Sequence, residues 1–361
     1  MAKPQNIADQ FLEAAVEPAR WLDVLQHLAQ QTRSDHAQII GVGPSFSFGF
    51  NWVNDMDASA HAAADRAELM APTTNFRVAA GVAQLPQTIS WEDCYEAIKP
   101  NLVDDAYLDL CSDLHIPFGC QTNLLVDPDG LIGFALLRSQ RNGPTDAETR
   151  ALFASFCPSA RAAVALQVAL ERESYKLVAG AFETMSVACF VLDRAMSVRA
   201  LSRGAEGLLA DGTLRLANGH VVAPSPVIQR RLAAASATVM EGRAAAASVA
   251  APGPDGMLMV RVHRLPDREW NMGFAPFAVL IAKRPAAGDA ADVAFLRDAY
   301  GLTISEAQIA LLLRLGRTRE EIRTARGITQ ETMRSHLRSL FAKLGVKRET
   351  QAIHLLHALL D

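Results

Sequence analysis

Arg334 and Arg338 stand four residues apart, with Ser335 beside them. On a helix that spacing stacks two guanidinium forks on one ridge. Each planar fork matches guanine O6 and N7, or two phosphate oxygens, and a DNA major groove about 12 Å wide admits one helix. Thr318, Thr332, Lys343, Lys347 and Arg348 supply hydroxyl, backbone and ammonium donors of the kind that grip phosphates and fix register, and Thr329 can cap the helix that carries the arginines. Charge alone leaves a second reading open, in which the same arginines form the solvated face of an ordinary helical bundle.

The charge is unevenly placed. Residues 301–361 hold ten Lys and Arg against six acids, whereas the whole 361-residue chain has a net charge of −4. The preceding part therefore carries about −8, and a basic end on an acidic body points to a polyanionic partner for that end.

Three helices have to position the arginines. Thr303 or Ser305, with Glu306 close behind, starts the first, whose apolar face is Ile309, Leu312, Leu313 and Leu315 and whose end is Gly316. The second opens near Thr318 with Glu320 and Glu321 in its first turn, buries Ile322 and Ala325, and stops at Gly327. The third opens at Thr329. Its core residues Met333, Leu337, Leu340 and Leu344 are spaced by four, three and four, which leaves Arg334 and Arg338 on the opposite face.

Leu302, Thr303 and Glu306, the Gly316 stop, the Glu321-Ile322 pair, Gly327-Ile328-Thr329, Thr332 to His336 and Lys343 to Val346 together resemble the LuxR/FixJ-type helix-turn-helix over about 60 residues. Arg323 follows Glu-Ile where Ala is usual, and Met333 stands where Val is common; both leave the docking face intact. The resemblance implies four helices, the third in the major groove and the fourth, Thr350 to Leu360, contributing to dimerisation. It implies base or groove contacts for Arg334, Ser335 and Arg338 and backbone contacts for Thr332 and Lys343. The partners it implies are double-stranded DNA, a second copy of the chain and RNA polymerase. His336 sits where that family places a histidine, and no second metal ligand lies at helical spacing from it.

With half its residues hydrophobic and 361 residues to fold, the chain should form two to three domains rather than one core. Gln38 to Val42 and Phe46 to Val53 read as strands, and Gly119 to Val126 and Leu131 to Arg138 flank a hairpin turn at 127–130. Helical stretches fall near 58–70 and 101–113, and Pro18 should divide a helix over 6–31. Residues 1–145 thus read as an α+β domain with an antiparallel sheet, similar to GAF-like or autoinducer-binding domains. Thr145 with Glu148 has capping-box spacing and opens a connecting helix over 146–185, with a break expected at Pro158. That helix either packs on its own domain or also pairs with a second subunit. Residues 186–285, with helices inserted after the second strand, resemble a PAS domain in order of elements; 286–298 read as a linker and 299–361 as the helix-turn-helix domain. The expected fold is therefore multidomain: two α+β sensor-type domains followed by an all-α four-helix domain.

Two such domains in front of a DNA-binding unit suggest a sensor. Phe46, Phe48, Phe50 and Trp52 alternate, placing four rings on one face of a strand. Core packing accounts for them, and so does a pocket for a small apolar or aromatic effector, lined also by Phe76 and Phe118 and anchored by Trp91, Tyr95 and Tyr107. The alternative to a sensor is a constitutive DNA-binding protein whose front domains only bind other proteins.

HExxH, GxSxG, GxGxxG and GxxxxGK[ST] are all missing, so neither catalysis nor a cofactor is expected. Five cysteines without a CxxC pair suggest neither a disulfide framework nor a metal site. The N-terminal residues lack a signal-peptide core, no apolar run reaches 18 residues, and a cytoplasmic location away from membranes is expected.

Overall fold

The computed structural model describes residues 7–43, 48–57, 67–83, 88–128, 130–253, 256–283 and 290–360. The chain is multidomain, with two mixed α/β bodies and a helical C-terminal region.

The first body opens with α1 (Ile7–Val16) and α2 (Trp21–Gln31), divided at Pro18 by a short 3-10 turn. An antiparallel sheet of β1 (His36–Val42), β2 (Phe48–Val53), β3 (Phe118–Asp127) and β4 (Gly130–Arg138) follows, in the order β2-β1-β4-β3. Between β2 and β3 the chain forms α3 (Phe76–Ala83), α4 (Glu92–Ile98) and α5 (Ala106–Asp113). Much of the helix expected near 58–70 lies outside the described residues; Ala67–Met70 is a 3-10 turn.

Side-chain alternation gives the sheet two different faces. Ile39, Trp52, Phe134 and Leu136 meet Phe11, Trp21 and Phe153 on the face packed against α1, α2 and the next helix. Val53, Ala135 and Leu137 meet Phe76, Tyr95 and Tyr107 on the other.

That next helix, α6 (Ala147–Thr184), continues through Pro158 without a break. Proline deletes one backbone hydrogen bond, but Phe153, Cys157, Ala160 and Val164 are buried on both sides of it, and this packing carries the helix across. The N-cap is Asp146 rather than Thr145: its side chain accepts from Thr149 N–H at 2.7 Å, while the Thr145 hydroxyl is spent on Glu92 Oε2 at 2.7 Å. Among the described residues α6 is the one helix long and apolar enough to cross a membrane. Here Phe153 and Val164 lie in the first core, and Tyr175 and Ala179 pack beneath the second sheet.

The second body holds β5 (Ala188–Leu192), β6 (Val198–Leu201), α7 (Arg203–Ala210), the hairpin β7 (Arg215–Ala217) and β8 (His220–Val222), and α8 (Pro226–Met240). It closes with β9 (Ala246–Gly253), β10 (Gly256–Arg264) and β11 (Ala278–Lys283) in an antiparallel sheet ordered β6-β5-β11-β10-β9. Helices do follow its second strand, and the first sheet shares that plan.

The two bodies are joined by a buried polar chain. Trp21 Nε1 donates to Gln167 Oε1 at 2.7 Å, and Gln167 Nε2 donates to Glu171 Oε1 at 2.9 Å and to the Trp270 carbonyl at 2.8 Å. Glu171 then accepts from the N–H groups of Met272 and Phe274 at 2.9 and 3.0 Å. Trp270 packs edge-on against Trp52, with ring centroids 5.5 Å apart, so a loop of the second body completes the core of the first.

The linker expected at 286–298 is helical in its described part. Residues Ala290–Tyr300 form α9, and fully buried Leu296 joins the C-terminal core. Its apolar spacing reaches a core that begins beyond the segment itself.

Candidate nucleic-acid interface and buried cavity

Four further helices build the C-terminal region: α10 (Ile304–Arg314), α11 (Arg319–Arg326), α12 (Gln330–Leu344) and α13 (Glu349–Leu360). Thr303 and Thr318 each close a reciprocal capping box, with Glu306 and Glu321. Gly327 at φ 62° and Gly345 at φ 69° adopt the left-handed conformation that ends α11 and α12, at little cost only for a residue without Cβ. Met333, Leu337, Leu340 and Leu344 of α12 are buried against Ile309, Leu313, Ile322, Ala352 and Leu356. Ala325, expected inside, is exposed, because α11 is short and Ile322 alone fills its contact with the core.

With its leucines committed inward, α12 turns Arg334, Ser335 and Arg338 outward as exposed side chains. Among the described residues neither arginine forms an ion pair, and the same holds for Arg326, Lys347 and Arg348. Other cations of the region are taken: Arg317 by Glu321 at 3.7 Å, Arg319 by Glu349 at 2.6 Å, Arg323 by Glu320, and buried Arg314 lies 3.8 Å from Asp292. The threonines work as caps. Thr318 Oγ1 accepts from Glu321 N–H at 3.2 Å, and Thr329 Oγ1 accepts from Thr332 N–H at 3.2 Å and lies 2.8 Å from the Thr332 hydroxyl. All three are exposed.

Lys343 differs from the expectation of a free backbone contact. Its ammonium donates to buried Glu306 Oε2 at 2.7 Å, pinning the end of α12 to the start of α10. Burial works against the Glu306 charge, but hydrogen bonds from Lys343, Ser339 and Thr303 prevail and hold its carboxyl at about 2. A depressed carboxylate stabilises the fold above its unfolded value of 4.5, and that stabilisation is lost as pH falls toward 2. Glu306→Gln is expected to destabilise the helical region at pH 7 by about 1.5–3 kcal/mol, the scale of a hydrogen bond to a charged group. Melting curves at pH 7 and pH 3 check this: the difference between wild type and variant should shrink at the lower pH, and an equal difference at both contradicts the assignment.

The rings singled out in the front domain do not converge on one pocket. Phe50 and Trp52 lie 4.3 Å apart between centroids in the core facing α1, α2 and α6. Phe46 lies outside the described residues, as does the side chain of Phe48. Trp91 is half-buried at the edge of that same core, with its Nε1 donating to Asp93 at 3.0 Å. Phe76, Tyr95 and Tyr107 form a cluster on the opposite face, with Phe76 5.0 Å from Tyr95 and 5.3 Å from Tyr107, and Phe118 contributes its carbonyl to Arg77. Of these rings Tyr107 lines a cavity between the sheet and α3 and α5, and Phe76 lines a separate pocket beside Lys99 and His115.

The cavity, of about 50 Å³, lies between the sheet and α3 and α5. Its floor is set by strand register. Gln38, Ala135 and Gln121 are neighbours across β1, β4 and β3, and Asn51, Ile40, Gly133 and Asn123 form the adjoining row. Small Gly133 and Ala135 hollow the middle, amides flank it, and Arg77 and Tyr107 enter from above. Sequence reasoning passed over these amides and Arg77, although Gln121 and Asn123, two apart in a buried strand, were a usable signal.

No family model matches the chain, and no curated protein does. Among solved structures, the phage VqmA–DPO complex is similar at 14% identity, covering 52% of this chain and 90% of that one, with a TM-score of 0.25. The Vibrio cholerae VqmA–ligand–DNA complex is similar at 17% identity, covering 48% and 83%, with a TM-score of 0.24. The E. coli DhaR(N)–DhaL complex is similar at 11% identity, covering 77% and 86%, with a TM-score of 0.25. Superpositions this loose transfer no residue role.

Proposed function

We propose that this chain is a non-enzymatic, DNA-binding transcription regulator of the LuxR type, with α11 and α12 as its helix-turn-helix and its front domains responding to a small molecule. One observation carries the reading: the outward face of α12 holds exposed arginines that no acid among the described residues neutralises, while Arg317, Arg319, Arg323 and Lys343 are paired. A surface of free guanidinium groups on a rigid helix is suited to base edges and phosphates. Arg334, Ser335 and Arg338 read the groove, Thr329 and Thr332 present the N-terminus of α12 to a phosphate, and Lys347 and Arg348 flank it.

The exposed leucines of α6 support a homodimer. Leu166, Leu170 and Leu177 are 37%, 51% and 69% exposed on a helix otherwise committed to two cores. Leu170 and Leu177 are one heptad apart, the spacing at which two such helices pair. Leu170→Glu together with Leu177→Glu should therefore convert a dimer to a monomer in light scattering; a dimer that survives both charges contradicts this surface.

Selection of duplexes from a random pool by the full chain tests the proposal as a whole. It should enrich an inverted repeat whose half-sites lie about one DNA turn, 34–36 Å, apart. Failure to enrich any sequence contradicts it.

A further inference from the structure

Among the described residues Arg77 is the one buried cation that lines the cavity, and none of them gives it a counter-ion. It is 5% exposed. Its Nη1 donates to the Tyr107 hydroxyl at 3.1 Å and Cys111 Sγ at 3.4 Å, and its Nη2 to the carbonyls of Ile116 at 2.7 Å and Phe118 at 3.2 Å. The guanidinium lies 5.1 Å from the Phe76 ring centroid and 5.8 Å from that of Tyr107. Its Nε is buried without a partner, and among the described residues no carboxylate lies within ion-pairing reach. Burial pushes the Tyr107 hydroxyl up to about 12, so that partner is a neutral phenol. Arginine keeps its proton in any protein environment, and a buried charge without a counter-charge is costly. Packing α3 on the sheet does not require a cation, since the helix is otherwise FxVAAGVA.

The cavity floor adds a second, independent observation. Gln121 Nε2 donates to the Arg77 carbonyl at 2.6 Å and Asn123 Nδ2 to the Gly81 carbonyl at 2.7 Å, which orients both amides and uses one hydrogen of each NH2. Gln38 Nε2 likewise donates one hydrogen, to Asn51 Oδ1 at 2.7 Å. Each amide therefore brings to the cavity floor an acceptor oxygen and one further N–H. Gly81 makes room for them: a Cβ there would lie 3.2 Å from Asn123 Oδ1. Asn75 also lines the cavity, and Ile40, Val53, Met70 and Leu110 supply apolar wall.

We infer that this cavity binds a small organic acid, whose carboxylate supplies the counter-charge to Arg77 and whose hydroxyl or amino hydrogen faces the oxygens of Gln121 and Asn123. The cavity size restricts the ligand to a few carbons. The inference deepens the effector-responsive reading above and rests on it for its regulatory meaning, but occupancy can be measured without DNA.

The full chain is titrated with lactate and 3-hydroxybutyrate, and with lactamide and 3-hydroxybutyramide as neutral isosteres, at up to about 10 mM, the range of weak small-ligand affinities. At least one acid should raise the melting temperature and bind about tenfold or more tightly than its amide, as a charge-assisted contact requires. In Arg77→Gln that preference should vanish. Because Arg77→Gln also loses contacts to Ile116 and Phe118, Gln121→Leu is the second variant, and it should weaken the acid and keep the fold. Equal binding of acid and amide overturns the inference, and so does the failure of both acids to bind. A neutral compound that raises the melting temperature and shifts DNA affinity would overturn the anion site while upholding the effector reading. Acid binding that leaves DNA affinity unchanged would uphold the site and overturn its coupling to DNA.

Discussion

Arg334→Ala combined with Arg338→Ala is expected to weaken binding to a selected duplex by about 2–6 kcal/mol, from about 1–3 kcal/mol for each arginine that reads a base. Both side chains are exposed and free of ion pairs, so their removal should leave stability within about 0.5 kcal/mol. Fluorescence anisotropy against selected and scrambled duplexes, with melting curves as the control, separates the two effects. The loss should fall mainly on the selected duplex. Lys347→Ala should instead weaken both duplexes about equally and reduce the salt slope by about one, as a phosphate contact does. Unchanged discrimination in the double variant would reduce the two arginines to phosphate contacts.

Glu171→Ala is expected to cost at least about 3 kcal/mol and to uncouple the two front bodies. The substitution strands the Met272 and Phe274 N–H groups and one donor of Gln167 in a buried site, and each unsatisfied group costs about 1–3 kcal/mol. The wild-type arrangement is itself a compromise. Burial raises the Glu171 carboxyl, and the hydrogen bonds from Met272, Gln167 and Phe274 offset only part of that rise. A raised carboxyl contributes stability below its unfolded value, and the contribution is lost as pH climbs through the folded value, so mild acid should strengthen this joint. Calorimetry should resolve one front transition in the wild type and two in the variant. A single unshifted transition would show that the apolar contact of Trp270 with Trp52 joins the bodies unaided.

The helical region was legible because its signals are local. Leucine spacing, threonine caps and glycines at the helix ends all act within one turn of the residues they govern, and α10 to α13 follow them closely. The ion pair of Lys343 was not legible, for the opposite reason: its partner Glu306 lies 37 residues away, and nothing in the spacing of α12 announces it. In the front domain, alternation correctly sets Phe50 and Trp52 on one face of β2, but which face α1, α2 and α6 cover is decided by tertiary packing. The rings fall on the helix side, and the cavity opens on the other. Its amides come from β1, β2 and β3, and only the strand order β2-β1-β4-β3 places Gln38 and Gln121 on either side of Ala135. The joint through Gln167, Glu171 and Trp270 rests on a loop without periodicity, which leaves no pattern to read.

The central claim is that α12 reads DNA from the major groove through its outward guanidinium groups. Dimethyl sulfate interference on the selected duplex tests this directly, because methylation marks guanine N7 in the major groove and adenine N3 in the minor groove. The account predicts that premethylated guanines in each half-site block the full chain, while methylated adenines are tolerated. Interference confined to minor-groove adenines, or none at any guanine, would contradict it.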